Sequence, residues 1–217
     1  MDINKFKNKF IVFEGWENTG KTSVAHLLVD YLNKNNIETV FTFQPGGDWG
    51  PISTTIRSLC KDKRWNLSEE ANLHAFLLDR AECMHKIIRP SIQAGKTVVC
   101  DRHSYSTVAY QLFGKKLIDH FMTHVGKEAT FHIINWLREP YNDIMPNIVY
   151  YFPNKVGNRI NDENDLFDNE KEEFEKRVKQ AYNEMSGAIR TDGKDHGWKI
   201  VKPGSSAEET LTNLLAL

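Results

Sequence analysis

Gly15-Trp16-Glu17-Asn18-Thr19-Gly20-Lys21-Thr22 is the stretch that decides the fold. It meets GxxxxGK[ST] at each fixed position. Phe10-Ile11-Val12-Phe13 precedes it as a short apolar run of the buried-strand kind. Val24, Leu27, Leu28, Tyr31 and Leu32 follow it at helical spacing. Strand, glycine loop and helix in that order let backbone N–H groups curl around phosphate oxygens, and the helix N-terminus adds the positive end of its dipole. The expected contacts of a triphosphate such as ATP are therefore Gly15, Asn18, Thr19, Gly20, Lys21, Thr22 and Ser23. Lys21 is expected to reach the β- and γ-phosphates, and Thr22 to ligate Mg²⁺.

Outward from this loop, strands and helices alternate. Ile37 to Phe43 reads as a second strand, broken by Pro45-Gly46-Gly47. Ser68 with Glu69 and Glu70 marks a helix start, continued by Leu73, Phe76, Leu77, Ala81, Met84 and Ile88. Thr97 to Cys100 is a third strand, ending at Asp101, and Ser104 to Phe113 opens a further helix. Ile148 to Phe152 reads as a fourth strand, and the polar, acidic stretch 154–169 as a loop. Phe167, Phe174, Val178, Ala181, Tyr182 and Met185 outline a long helix. Trp198 to Val201 is a last strand, and Ser206 with Glu209 forms a capping box before a helix carrying Leu211, Leu214 and Leu215. The pattern predicts an α/β fold of three layers, α/β/α, around a five-stranded parallel sheet. Ligands of such sheets bind beyond the carboxyl ends of the strands. Asp101 closes its strand where a metal-associated carboxylate would sit, and Arg102 beside it suits bidentate binding of phosphate.

Composition narrows the function classes. The 217 residues carry a formal charge of −1, without the basic excess expected of a protein that wraps duplex nucleic acid. No stretch approaches the ~18 apolar residues of a membrane span, and MDINKFKNKF lacks the core of a signal peptide. Cys60, Cys83 and Cys100 are widely spaced and odd in number, which suits reduced thiols. A cytoplasmic protein with no membrane or polynucleotide partner is expected. Asn154-Lys155-Val156-Gly157 begins the guanine-reading NKxD but has glycine at the carboxylate position, which leaves small kinases as the leading class.

With these blocks in view, the chain resembles the thymidylate kinase family over most of its length. The similar segments are Phe13 to Thr22; Gln44-Pro45-Gly46-Gly47 with Ile56-Arg57 and Leu59; Ala75 to Ala81; and Asp101-Arg102-His103 with Ser106-Thr107 and Ala109-Tyr110-Gln111. The resemblance implies one P-loop kinase domain over 1–217 with a lid at about 154–169, transferring the γ-phosphoryl group of ATP to a pyrimidine deoxynucleoside monophosphate, most simply dTMP. It further implies a homodimer packed through helices.

The roles it implies are specific. Phe76 would stack on the pyrimidine, Arg80 would donate to a base carbonyl, and Thr107 and Gln111 would fix the base. Pro45, His103 and Tyr110 would line the same pocket. Arg57 and Arg102 would hold the acceptor phosphate. Glu17 would accept from the sugar 3′-hydroxyl or order water near the metal. Arg159 would sit over adenine at the lid entrance and, with no other lid cation nearby, reach the donor phosphates as a catalytic group, with Gly204 and Ser205 at the adenine edge. Each residue has a plainer reading: Phe76 and Tyr110 as core, Arg57 and Arg159 as solvated surface, Arg80 paired with Asp79 or Glu82.

Four departures from the family stand out. Phe43 occupies a place where arginine often precedes Glu-Pro-Gly, and Asn18 a loop position where some members carry arginine. Residues 161–170 hold no arginine or lysine, and His103 replaces a tyrosine associated with excluding a 2′-hydroxyl. They leave open a kinase for a modified or different nucleotide, a deoxynucleoside kinase with Glu17 as base, or a catalytically weak nucleotide-binding regulator.

Overall fold

A computed structural model of the chain describes residues 2–138, 140, 143–153, 169–187 and 197–217. Five runs rich in β-branched and aromatic residues form the strands β1 (Phe10–Gly15), β2 (Thr39–Phe43), β3 (Thr97–Asp101), β4 (Ile148–Phe152) and β5 (Trp198–Ile200). They pair in parallel in the order β2-β3-β1-β4-β5. All residues of β1, β3 and β4 are buried. Burial on both faces is why these strands read as continuous apolar runs rather than as alternation.

The helices are α1 (Lys21–Lys34), α2 (Ser53–Lys61), α3 (Glu69–Cys83), α4 (Arg89–Gln93), α5 (Ser104–Thr107), α6 (Leu117–His124), α7 (Lys127–Arg138), α8 (Asn169–Gly187) and α9 (Ala207–Ala216). On one face of the sheet, Ile11, Phe13, Val99, Tyr150 and Phe152 pack with Val24, Leu28 and Leu32 of α1 and Leu214 of α9. On the other face, Phe10, Val12, Val98 and Cys100 meet Ile56 of α2 and Ala75 and Cys83 of α3. Val149 and Tyr151 meet Tyr105 of α5, Leu137 of α7, and Val178 and Tyr182 of α8. The three-layer arrangement follows from the two-residue period of the strands, which sends alternate side chains into opposite layers.

Two expected helices change pitch midway. The run from Ser68 ends as α3 at Cys83 and passes through a π-helical turn, Met84–Ile88, before α4. The helix expected from Ser104 to Phe113 is α5 followed by a π-helical segment, Val108–Gly114. Such wide turns concentrate at functional sites, and this one carries Tyr110 and Gln111. Gly114 closes it where an added Cβ would lie 2.6 Å from the Phe174 ring, so α8 approaches closely there.

At α9 the Ser206 hydroxyl accepts from Glu209 N, as a capping box requires, at 3.2 Å. The Glu209 carboxylate, however, turns to Ser205, accepting from its N at 2.7 Å and its Oγ at 2.5 Å. No helix among the described residues is long and apolar enough to cross a membrane.

Candidate functional site

The register of β1 and β3 places Phe13 opposite Asp101, so the phosphate loop leaves the sheet beside the carboxylate that ends β3. Gly15 starts the loop at φ 145°, with an added Cβ 2.5 Å from Phe152 O, so no other residue fits there without displacing β4. Asn18 at φ 57° and Gly20 at φ 83° take the left-handed turns that curl the loop onto α1. Thr19 Oγ1 and Lys21 Nζ both donate to Trp16 O at 3.0 Å, holding the loop closed on itself. Ser23 and Thr22 lie exposed at the start of α1.

Lys21 is buried, and its pKa is lowered to about 8, first by burial and then by the Arg102 charge. Asp101, Glu14 and Glu17 oppose the shift. The lysine is thus a desolvated cation whose charged form an incoming phosphate would stabilise. Thr22 Oγ1 donates to Asp101 Oδ2. Asp101 Oδ1 is buried without a hydrogen-bond partner among the described residues.

Arg102 follows at φ 71°, a conformation in which a non-glycine residue is strained. Its N–H donates to Phe13 O at 2.9 Å, and its guanidinium lies 4.9 Å from the centre of the Tyr110 ring. That head donates to Ser106 Oγ at 3.2 Å, Tyr110 Oη at 3.2 Å and Tyr182 Oη at 3.5 Å. Beneath it lies Glu14, fully buried. Its carboxylate accepts from His103 N (2.9 Å), Ser106 N (3.2 Å), Ser106 Oγ (2.6 Å) and Tyr182 Oη (2.8 Å). Arg102 therefore reaches a buried carboxylate through two hydroxyls, and the turn that strains it is fastened by two backbone donors. Burial pushes the Glu14 pKa up, against those bonds and the nearby guanidinium.

Sequence reasoning passed over Glu14 and Tyr182. Glu14 had a signal, a charge ending an otherwise apolar strand. Tyr182 had none, because its place in the apolar stripe of α8 reads as core.

Between loop and arginine opens a cavity of ≈ 470 Å³. It is lined by Trp16, Glu17, Pro45, Phe76, Arg80, Arg102, His103, Thr107, Tyr110 and Gln111, among others. The expected acceptor residues thus meet in one place, with one exception. Arg57 is absent from that lining: it donates to Pro45 O and lies over the Phe43 ring at 5.2 Å.

Arg80 is no surface residue paired with Asp79 or Glu82. It is 2% exposed and donates to Gln44 Oε1 at 3.2 Å, His103 O at 3.2 Å and Thr107 Oγ1 at 2.6 Å. Asp79 is occupied by Gly46 N and Trp49 Nε1, and Glu82 by Lys86. Tyr110 is more than core: its ring stacks on Trp16 at 5.5 Å and 4°. His103 borders the cavity, but its ring packs edge-on against Phe10 at 5.3 Å. Burial, then the Arg80 charge, holds its pKa well below the usual histidine value. Gly204 and Ser205 lie in the turn before α9, past the carboxyl end of β5 and outside the cavity lining. Arg159 and segment 154–168 fall outside the described residues.

Comparison with known proteins converges on one family. A family model described as thymidylate kinase matches residues 13–209. The chain is 33% identical over 191 residues to a thymidylate kinase of Protochlamydia amoebophila, covering 84% of this chain and 81% of that one. It is 29% identical over 211 residues to one of Symbiobacterium thermophilum, covering 96% and 91%. A 38% match to one of Desulfovibrio desulfuricans spans 122 residues, about half the length of either chain, at 56% and 55%. The crystal structure of thymidylate kinase from Ehrlichia chaffeensis shares the fold, with a TM-score of 0.70 at 24% identity, covering 96% of this chain and 97% of that one.

Proposed function

The chain belongs to the thymidylate kinase family, and from that premise we propose that it transfers the γ-phosphoryl group of ATP to dTMP, giving dTDP and ADP. The observation that carries the reading is the cavity itself, which joins the phosphate loop at Trp16 and Glu17 to Arg102 on one side and to Phe76, Arg80, Thr107 and Gln111 on the other. A nucleoside monophosphate has a base, a sugar and a phosphate to be held, and the lining offers a partner for each.

Phosphoryl transfer asks little covalent chemistry of a protein; it needs two phosphate ligands in line and cations for the developing charge. Lys21 and the amides of residues 15–22 would hold the donor phosphates. Arg102, its fork fixed by three hydroxyls, would hold the acceptor phosphate, so that the nucleophile is an oxygen already anionic. No general base is then required, and Glu17 is left to the sugar 3′-hydroxyl. Phe76 would stack on thymine, with Arg80 and Thr107 donating or accepting at its polar edge and Gln111 completing it.

Thr22 and Asp101 would hold Mg²⁺. The buried, unpartnered Asp101 Oδ1 beside the Thr22 hydroxyl fits a hard cation. When bound, the ion would neutralise charge on the β- and γ-phosphate oxygens. Arg159, Gly204 and Ser205 belong to the same reading as contacts of the donor base. So do a cytoplasmic location, with which three free buried cysteines accord, and a homodimer. Exposed Leu78 on α3 and Phe131 and Trp136 on α7 would supply apolar surface for that dimer.

The test is a panel of acceptors, dTMP, dUMP, dCMP, dGMP and thymidine, in an assay coupled to ADP release. The account expects dTMP to give the highest kcat/KM and thymidine to be inert. A preference for thymidine would move the protein to the nucleoside kinases, and a preference for another monophosphate would reassign the base pocket.

A further inference from the structure

The acceptor cavity holds a cation that neither the motifs nor the family pattern single out. Lys61, the last residue of α2, lines the cavity wall together with Glu17 and Arg102. Among the described residues its ammonium makes no hydrogen bond and no ion pair. Lys63 shares that lining, without a side-chain partner among the described residues, but two other cations near the cavity are engaged. Lys115 is tied to Glu69 at 3.1 Å, and Arg57 is turned onto Pro45 O and the Phe43 ring.

The surroundings of Lys61 are those of the transfer centre. Burial lowers its pKa first; Glu17 and Asp101 then raise it while Arg57 and Arg102 lower it further. Lys61 stays exposed on the open cavity wall and is bonded to none of these charges, so its ammonium is free to turn to an anion that enters the cavity. The cavity needs such a charge. Two phosphate-bearing ligands and the Glu17 carboxylate would meet there, and the sequence has no arginine or lysine at position 18, at position 43 or within 161–170.

We propose that Lys61 is a phosphate-binding residue of the acceptor site, supplying beside Arg102 a second cation for the monophosphate of the nucleotide acceptor. The inference rests on the monophosphate reading given above. A flexible four-carbon stem suits the task, because the ammonium can follow the phosphate as a point charge while Arg102 fixes its orientation.

Calorimetric titration with dTMP and with thymidine separates phosphate recognition from everything else in the pocket. In Lys61→Met, which keeps the stem and removes the charge, dTMP binding weakens by about tenfold or more while thymidine binding stays within about twofold. Lys61→Arg recovers most of the lost dTMP affinity, and Lys63→Met, which removes another exposed charge of the same lining, does not reproduce the loss. Unchanged dTMP binding in Lys61→Met, or equal losses for dTMP and thymidine, would overturn the assignment. So would the same loss in Lys63→Met, which would mean a diffuse field. If the wild-type protein binds dTMP no better than thymidine, the monophosphate reading falls together with Lys61. If it prefers dTMP and Lys61→Met does not alter that preference, only Lys61 falls.

Discussion

Replacing Tyr182 by phenylalanine removes one oxygen from the centre of the Arg102 support. That hydroxyl donates to Glu14 Oε2 at 2.8 Å, touches Ser106 Oγ at 2.8 Å and receives Arg102 at 3.5 Å. The ring itself stays, stacked on Tyr151 at 5.5 Å, so no cavity opens. Glu14 keeps three of its four donors but loses one of the two that meet Oε2. A hydrogen bond to a buried charged group contributes about 1.5–3 kcal/mol, and urea unfolding of Tyr182→Phe should show a loss in that range. The functional effect is separate. Arg102 would still be held by Ser106 and Tyr110, but its link from α8 to the buried carboxylate would be gone. A displacement of its head by part of an ångström should lower kcat by about ten- to a hundredfold. KM for ATP should hardly move, because the phosphate loop is untouched. Steady-state kinetics with both substrates varied would show this split. Stability lost with kcat unchanged would confine Tyr182 to structure. Wild-type stability and wild-type kcat together would refute the claim that Glu14 and its hydroxyls hold Arg102 in place.

Other predictions follow from single contacts. His103 is 2% exposed with its pKa held well below the ordinary histidine value of 6.5, so the folded state resists a proton that the unfolded chain accepts. Its stabilising contribution is complete above pH 6.5 and fades below it. The stability gap between wild type and His103→Gln, measured by urea unfolding, should narrow by about 1.4 kcal/mol per pH unit below that value; a constant gap would mean His103 is protonated in the fold. Phe76→Ala should raise KM for dTMP by about tenfold or more through the lost stack, and leave KM for ATP unchanged. Gly15→Ala should lose about 1–3 kcal/mol in unfolding experiments from its backbone conformation alone, before the clash with Phe152 O is counted. Wild-type stability in that variant would contradict the strained conformation assigned to position 15.

The parts of the molecule legible in the sequence are those with a strong local signal. Each of the five strands is there within two or three residues: β1, β3 and β4 because burial on both faces leaves unbroken apolar runs, β2 and β5, which are only partly buried, through their β-branched and aromatic residues. The phosphate loop is there because its geometry demands glycine at fixed places. The helices α2, α6 and α7 were not read. Apart from Ser53, α2 buries only Ile56 and Cys60; α6 buries only Leu117, and α7 only Thr130 and Leu137, too thin a stripe to set a period. The π-helical turns were invisible for a different reason, since one extra residue in a turn leaves composition unchanged. Of the groups that support Arg102, Ser106 and Tyr110 lie within a motif block, Glu14 lies within one but is marked only by its charge, and Tyr182 is brought in by tertiary packing alone. Arg57 shows the reverse limit. A motif block singles it out, but only packing decides that its head rests on Pro45 and Phe43 rather than in the cavity.

The central claim is that the loop from Gly15 to Thr22, with Lys21, positions a triphosphate whose last phosphoryl group passes to an acceptor held by Arg102. Incubation with γ-labelled ATP, Mg²⁺ and dTMP, followed by chromatographic separation of the nucleotides, tests it most directly. Label should appear in dTDP with wild-type protein and be all but lost with Lys21→Ala or Arg102→Met. Label confined to inorganic phosphate, or transfer that survives Lys21→Ala, would contradict the account.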